Sequence, residues 1–278
     1  MSVTIIHTTN TQSSVFESLL SVMPGKLVKR ATHYRLLHHG QPDKNRIQEF
    51  CSLHGVDINT VPDGFNGADV GLLITDMDST LISIECIDEI ADFLNIKHKI
   101  AEITESAMRG EIDFTTSLTR RVSLLAGLKL DALEAVYRER LKLNPGAETL
   151  MSVLKSRGIM RALVSGGFTY FTDRLKQRLA LDEVLSNTLE IKDNALTGKV
   201  LGDIVDGQAK AEFLRQIASQ NNIRLQNCVA VGDGANDLPM MDIAGLSVAF
   251  RAKPKVQEKA KIILNYSGLD AILDILES

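Results

Sequence analysis

Residues 70–80, VGLLITDMDST, join an apolar run to a pair of carboxylates, Asp76 and Asp78. The apolar run predicts a buried strand, and the two carboxylates follow directly at its end. Burying two ionised carboxylates is unfavourable unless positive charge or hydrogen bonds compensate for the lost water. The stretch therefore predicts a strand whose carboxyl end places charged groups in a site that contains compensating groups.

Short apolar runs recur along the chain, separated by helical patterns; they cover residues 71–75, 159–164, 228–231, 246–250 and 262–264. Runs without polar alternation are typical of strands covered on both faces, and the intervening helices indicate a parallel sheet. Residues 187–200 contain Asp193-Asn194 between two extended stretches and predict a hairpin. The fold class is therefore α/β, a doubly wound parallel sheet with a Rossmann-like core.

Two parts of the chain depart from this alternation. Residues 78–144 contain only helical patterns, near 85–95, 97–109, 113–126 and 130–142, which predict a helical cap at about 84–143 over the carboxyl ends of the strands. Residues 1–69 predict a small α+β module with extended stretches at 3–8 and 27–38 and helices at 13–23 and 43–54. A Pro/Gly/Asn-rich linker at 61–69 separates it from a domain at 70–278. Five of the six histidines lie in this module, and we interpret them as surface residues.

The composition excludes several classes of function. The net charge of −4 arises from 31 basic and 35 acidic residues without charged blocks, so neither a nucleic acid nor an anionic membrane is predicted as a partner. Three scattered cysteines do not form a disulfide framework, and no leader or membrane span is predicted. We expect a cytoplasmic protein that acts on a small molecule; a homodimer is an open alternative.

Polar side chains also follow the later strands. Ser165 follows the second run, Gly166 lies at the start of the predicted helix after it, Asp233 follows the third run, and Lys210 lies at a predicted helix start between the second and third runs. Because ligands of open α/β sheets bind at the carboxyl ends of strands, these groups should meet the first pair. Carboxylates suit Mg²⁺, whereas a lysine, a hydroxyl and exposed backbone N–H groups suit phosphate. We predict a Mg²⁺ and phosphate site.

The spacing of the first pair suggests separate roles. Residues two apart in an extended segment project to the same side, so Asp76 and Asp78 can address one substrate bond. An ionised Asp76 can attack phosphorus, while a protonated Asp78 can protonate the leaving alkoxide and later deprotonate water. The pair thus predicts hydrolysis through an aspartyl-phosphate.

Four motifs in this order resemble the haloacid dehalogenase superfamily of aspartate-nucleophile phosphatases: DMDST at 76–80, LVSGG at 163–167, Lys210, and GDGAND at 232–237. Residues 76–91, 107–125 and 229–245 are similar to bacterial members that hydrolyse O-phosphoserine to serine and phosphate, the last step of serine biosynthesis. Relatives often carry an N-terminal ACT-like module of two βαβ units. Residues 1–69 predict about half of its strands, and thus a degenerate version.

The resemblance implies roles for individual residues. Asp76 would be the nucleophile and Asp78 the acid and base; the Mg²⁺ ligands would be the Asp76 carboxylate, the Asp78 carbonyl and Asp233. The phosphate-binding residues would be Ser165, Gly166, Lys210 and Asn236, supported by Asp237. The substrate-binding residues would be Glu85, Arg121, Phe114 and Met108. Phe114 and Arg121 are seven residues apart, so they share one helix face, whereas Arg120 is turned away by about 100°.

Three alternatives stay open at this stage. The same chemistry would suit phosphohomoserine, phosphothreonine or another small phosphate monoester, or phosphoryl transfer to a second alcohol. A signalling receiver domain also phosphorylates an aspartate beside Mg²⁺ and a lysine. In such a domain, however, neither the acid at position 78 nor the helical cap would have a role. A noncatalytic metabolite-binding module is disfavoured because every catalytic position is filled.

Overall fold

The structure is a computed structural model, which describes residues 2–8, 13–40 and 43–277. Its strands are β1 Ser2–Ile6, β2 Gly25–Lys29, β3 Tyr34–His38, β4 Ile58–Thr60, β5 Leu72–Thr75, β6 Met160–Phe168, β7 Glu183–Lys192, β8 Ala195–Leu201, β9 Cys228–Gly232, β10 Leu246–Phe250 and β11 Ile262–Leu264. Its α-helices are α1 Ser13–Val22, α2 Lys44–His54, α3 Cys86–Asp92, α4 Lys97–Met108, α5 Phe114–Ser123, α6 Leu130–Ala135, α7 Ala147–Ser156, α8 Thr169–Leu179, α9 Gly207–Gln220, α10 Leu238–Ile243, α11 Pro254–Lys259 and α12 Ala271–Leu276.

The central sheet has seven strands in the order β11-β10-β9-β5-β6-β7-β8, and all neighbours are parallel except β7 and β8. This confirms the α/β class, the five predicted strands and the hairpin. In β5, Thr75 lies opposite Leu163 of β6 and Val231 of β9. The residues that follow these three strands therefore meet at one edge of the sheet.

Apolar side chains cover the sheet on both faces. Leu73 of β5 packs in one cluster with the cap and with α7, α8 and α12, whereas Leu72 and Ile74 pack on the other face with α9 and α10. All three side chains are fully buried. Burial on both faces explains why this strand reads as an unbroken apolar run.

The helical insertion forms four helices, α3 to α6, and lies between β5 and α7 as predicted. Arg140, in a helical turn that continues α6, bonds Glu89 and Asp92 of α3 at 2.7 Å, which joins the first and last helices of the cap. Ile82 and Leu143 pair as an isolated bridge where the chain enters and leaves the cap. The cap is thus attached to the sheet by two adjacent crossings.

The N-terminal module differs from its prediction. Its four strands and two helices follow the order βαββαβ, and the sheet is antiparallel in the order β2-β3-β1-β4. The stretch 27–38 contains two strands, joined by a turn in which Arg30 N donates to His33 O at 2.8 Å. The expectation of half the strands is wrong, because this turn lacks glycine or proline and β4 has only three residues.

The module contacts the larger part of the chain through buried polar groups. Asp57 accepts backbone N–H groups of residues 265–267 at 2.7–3.0 Å. The Asn59 amide donates to Ile263 O at 2.9 Å and accepts from Ile263 N at 2.8 Å, so it pairs with β11 as a neighbouring strand would. Division of the chain near residue 69 remains a prediction, which the two separate sheets support.

A second contact involves histidines. Asp274 of α12 accepts hydrogen bonds from Thr32 at 2.6 Å and pairs with Nδ1 of His7 at 2.9 Å and Nδ1 of His33 at 3.1 Å. We call these four residues the docking cluster. His7, His33 and His38 are buried, so their interpretation as surface residues is wrong. They are buried because each finds a polar partner across the fold.

None of the helices in the described ranges combines the length and apolar character needed to cross a bilayer.

Candidate active site

Asp76 and Asp78 lie where β5 ends beside β6 and β9. Asp76 is buried, and its backbone N–H donates to Val231 O at 2.9 Å, which extends the pairing with β9 by one residue. The chain then turns sharply, since Ser79 adopts a left-handed φ of 58°. Asp78 accepts the Cys86 backbone N–H on Oδ1 at 3.2 Å, so the start of α3 orients its carboxylate.

Lys210 is fully buried between two carboxylates. Its Nζ lies 2.5 Å from Oδ1 of Asp76 and 2.8 Å from Oδ1 of Asp237. Asp206 caps α9 by accepting from Ala209 N at 2.9 Å, and this places Lys210 in the first turn of the helix, as predicted. Its position next to Asp76 supplies part of the compensating charge that the sequence requires.

Three carboxylates after β5 and β9 lie close enough to share a cation. Asp76, Asp233 and Asp237 each offer an oxygen within 4.8 Å of the others. Oδ2 of Asp237, however, accepts the backbone N–H groups of Asp233 at 3.1 Å and Gly234 at 2.9 Å, while its Oδ1 holds Lys210. Because both its oxygens already have donors, Asp237 is better placed to support the site than to bind the ion.

The end of β6 forms a concave wall of backbone. Ser165 is buried, and its Oγ accepts from Gly167 N at 2.8 Å. A Cβ built on Gly167 would lie 3.0 Å from Oδ2 of Asp78, which shows how closely the two segments approach. α8 begins at Thr169, so Gly166 belongs to the strand and not to the helix start where the sequence placed it. The strand continues because β6 shifts register against β7 after Val164.

The cap reaches this wall through α5. A Cβ on Gly166 would lie 2.8 Å from Cζ of Phe114, so the ring lies directly against the glycine backbone. Phe114, Leu118 and Arg121 line the same hollow, as the helical spacing predicted. Arg121 donates to Ser117 O at 3.4 Å and has no carboxylate within 4.0 Å among the described residues.

Glu85 lies opposite on the approach to α3 and accepts from Ser79 Oγ at 2.7 Å. Asn236 also lines the hollow, together with Asp76, Asp78, Ser165, Gly166 and Asp233. Met108 ends α4, but its side chain lies outside what the structure describes. With Lys210 and Asp237 beneath the floor, the structure thus gathers every other predicted site residue at one end of the sheet.

The electrostatics of the hollow reflect its unbalanced charge. Burial, reinforced by the charge of Glu85, raises the pKa of Asp78 to about 7. Burial and Asp237 raise the pKa of Asp233 to about 6. Burial and Asp237 also raise the pKa of Asp76, although Lys210 opposes this rise. One buried lysine therefore does not neutralise the carboxylates around it.

Three residues at the site were not predicted from the sequence. Thr80 donates to Oδ1 of Asp233 at 2.8 Å, and the Asn187 amide donates to Gly166 O at 2.8 Å. Lys253, at the rim, donates its backbone N–H to Asp233 O at 3.1 Å. Thr80 is part of the DMDST stretch and could have been found there. Asn187 and Lys253 act across the fold, and no local pattern marks them.

Comparison with known proteins places the chain in a family, since residues 73–242 match the haloacid dehalogenase-like hydrolases. The chain belongs to that family. The assignment confirms the resemblance seen in the motifs and favours an enzyme over a receiver domain.

Individual haloacid dehalogenase-like relatives extend over most of the chain. A phosphoserine phosphatase of a Polaromonas species is 48% identical over 228 residues, which are 80% of this chain and 97% of that protein. The phosphoserine phosphatase of Vibrio cholerae is 50% identical over 259 residues, 93% of this chain and 74% of that protein. A crystal structure of a hydrolase of this family from Salmonella enterica, 36% identical, superposes with a TM-score of 0.91 and covers 100% of this chain and 98% of that chain.

Proposed function

We propose that the chain is a Mg²⁺-dependent phosphomonoesterase that hydrolyses O-phosphoserine to serine and phosphate through an aspartyl-phosphate on Asp76. The observation that carries this proposal is the convergence of Asp76, Asp78, Ser165, Lys210 and Asp233 at one end of the sheet. The substrate is proposed from relatives that are phosphoserine phosphatases and from Arg121 in the cap, which has no carboxylate within salt-bridge distance among the residues described.

The donor set fits a divalent cation. The carboxylates of residues 76, 78, 233 and 237 lie at or beneath the hollow, where Lys210 pairs with two of them, Asp76 and Asp237, and hard oxygen ligands of this kind suit Mg²⁺. Asp76, Asp233 and the Asp78 carbonyl would hold the ion. When bound, the ion neutralises charge on the carboxylates and on the transferring phosphoryl group. It thereby favours the ionised form of Asp76.

In the first half-reaction, a carboxylate oxygen of Asp76 attacks phosphorus and the bond from phosphorus to the serine oxygen breaks. Asp78, whose pKa near 7 leaves it partly protonated at neutral pH, donates its proton to the departing alkoxide. In the second, Asp78 takes a proton from water, which attacks phosphorus and breaks the bond to Asp76. Lys210 and the backbone at Gly166 hold the phosphoryl oxygens in both steps.

Arg121 and Glu85 would select the amino-acid part of the substrate. The Arg121 guanidinium is partly buried without a carboxylate partner in the described residues, and Glu85 lies on the same hollow. A guanidinium suits a carboxylate, and a glutamate suits an ammonium group. Phe114 closes the space between them and Gly166, which keeps water from the phosphoryl group.

Steady-state hydrolysis of three esters tests the proposal: phosphoserine, phosphothreonine and a phosphate ester without either charge, each with Mg²⁺ and with a chelator. We expect phosphoserine to be preferred and the chelator to abolish turnover. Equal rates on all three esters would contradict the substrate but keep the phosphatase. Activity that survives the chelator would contradict the metal, and failure to trap a phosphorylated Asp76 during turnover would contradict the intermediate.

A further inference from the structure

The two crossings into the cap form one bonded unit. Residues 79–84 lead from β5 to α3, and residues 141–146 lead from the end of the cap to α7. Ser83 N donates to Lys142 O at 2.9 Å, and this hydrogen bond holds the two segments side by side. We call these two segments the cap hinge.

One buried side chain lies between the two segments. Asn144 is 5% exposed, and its Nδ2 lies 2.8 Å from Thr80 O, 3.1 Å from Ile82 O and 3.4 Å from Ser79 O. Its backbone N–H donates to Leu81 O at 3.0 Å. An amide group has two donor hydrogens, so it binds two of these carbonyls well and the third weakly. Asn144 therefore supplies donors to four consecutive residues of the opposite segment.

The turn that Asn144 holds also carries reacting groups. Ser79 has a left-handed φ of 58°, a conformation that costs a non-glycine residue on the order of 1 kcal/mol and persists only when neighbours enforce it. Asp78 directly precedes this residue. Thr80 directly follows it and donates to the Asp233 carboxylate at 2.8 Å. If the turn relaxed, Asp78 would lose its placement and the Asp233 carboxylate would lose one donor.

We propose that Asn144 is a positioning residue, which holds the turn 79–82 so that Asp78 can reach the leaving oxygen. This inference rests on the proposed function. Asn144 does not touch the substrate hollow, so its effect passes through backbone carbonyls alone. A loss of placement of about 1 Å at a reacting group can reduce turnover by about 100-fold.

Two substitutions test this. Asn144→Leu keeps the number and branching of the side-chain heavy atoms and removes both donors, whereas Asn144→Ser keeps one O–H donor. With phosphoserine we expect kcat to fall about 100-fold in Asn144→Leu while KM changes little, and to recover in part in Asn144→Ser. With p-nitrophenyl phosphate we expect the rate of aspartyl-phosphate formation, measured as the burst in a single turnover, to fall much less, because its leaving group needs no proton, whereas the second half-reaction is common to both esters. Equal losses of the burst rate on both esters, or unchanged kcat with phosphoserine, would overturn the proposal.

Backbone amide exchange provides a readout that does not depend on activity. Asn144→Leu should accelerate exchange across residues 79–84 and leave β9 protected. Asn221→Leu is the matched control, since its Nδ2 also donates to a backbone carbonyl, Ile217 O at 2.9 Å, but lies at the end of α9. Unchanged exchange at 79–84 would overturn the proposal. If the wild type hydrolyses neither ester, the proposed function fails, and the exchange experiment still decides whether Asn144 holds the turn. If Asn144→Leu does not fold, Asn144→Ser is used for both measurements.

Discussion

Two groups of buried or half-buried carboxylates in this protein face opposite electrostatic situations. In the hollow, Asp76, Asp78 and Asp233 have pKa values that burial raises. In the docking cluster, burial also opposes ionisation of Asp274, but hydrogen bonds from His33, His7 and Thr32 lower its pKa below the ordinary value. Asp274 has three side-chain partners, whereas the carboxylates that we assign to catalysis accept fewer donors each and repel one another, as the raised pKa values show. Unmet charge, and not burial, distinguishes a site from a structural contact.

The largest expected effect comes from changing the carboxylates of the hollow. Asp76→Asn should reduce turnover of phosphoserine about 10⁴-fold or more, and Asp78→Asn about 10³-fold, because the nucleophile or the acid is lost. Substantial residual activity in either variant would contradict its role.

Asp78→Asn should not harm the fold. Asp78 has a folded pKa of about 7, above its unfolded value, so its ionisation penalty is absent at about pH 4 and complete above pH 7. Without metal at pH 8, Asp78→Asn should therefore raise the melting temperature by about 3 °C. Asp242→Asn, at an exposed position, is the control and should leave the melting temperature unchanged. A melting temperature below that of the wild type would show that the Asp78 charge stabilises the fold.

The next largest effect comes from changing the carboxylate of the docking cluster. Asp274→Ala removes the acceptor of three side chains and should lower the free energy of unfolding by about 3 kcal/mol, with little change in kcat. Because the folded pKa of Asp274 lies below its unfolded value, its contribution is present above about pH 4 and is lost as the pH falls below that. Urea titrations at pH 7 and at low pH measure the loss of unfolding free energy in Asp274→Ala and its dependence on pH. Asp242→Ala is the control, and equal loss in the two variants would refute the contribution of the docking cluster.

A third effect sharpens the comparison within the cap. Arg121→Ala should reduce kcat/KM for phosphoserine about 100-fold and spare p-nitrophenyl phosphate, since only the amino acid has a carboxylate for the guanidinium. Arg120→Ala is the matched control, because its side chain is exposed on another face of α5. Equal losses on the two esters in Arg121→Ala would assign Arg121 to the cap structure and not to the substrate.

The smallest effect concerns the ion. Mg²⁺ at about 100 times its dissociation constant should stabilise the wild type by about 2.7 kcal/mol, since the ion binds only the folded site. Asp233→Asn should lose this gain, whereas Asp274→Asn should keep it. Thermal denaturation with and without Mg²⁺ measures the difference, and equal stabilisation of both variants would place the ion elsewhere.

The sequence predicted the catalytic hollow better than its supports. The strands of the central sheet and the DMDST carboxylates were predictable because apolar runs and fixed spacings are local signals. Asn144 and Asn187 were not, since their amides bind backbone 64 and 21 residues away, respectively, and such contacts leave no periodic pattern. The docking cluster joins residues 241 and more positions apart. Histidines in such a contact have the same appearance in sequence as exposed ones.

The pairing of Asn59 with Ile263 has a consequence for solubility. β11 is the last strand of the central sheet, and an unpaired strand edge is a template on which another chain can add a strand. One carboxamide occupies both the N–H and the C=O of Ile263 and so blocks such addition at the middle of the strand. Without the N-terminal module, this edge would lose that block.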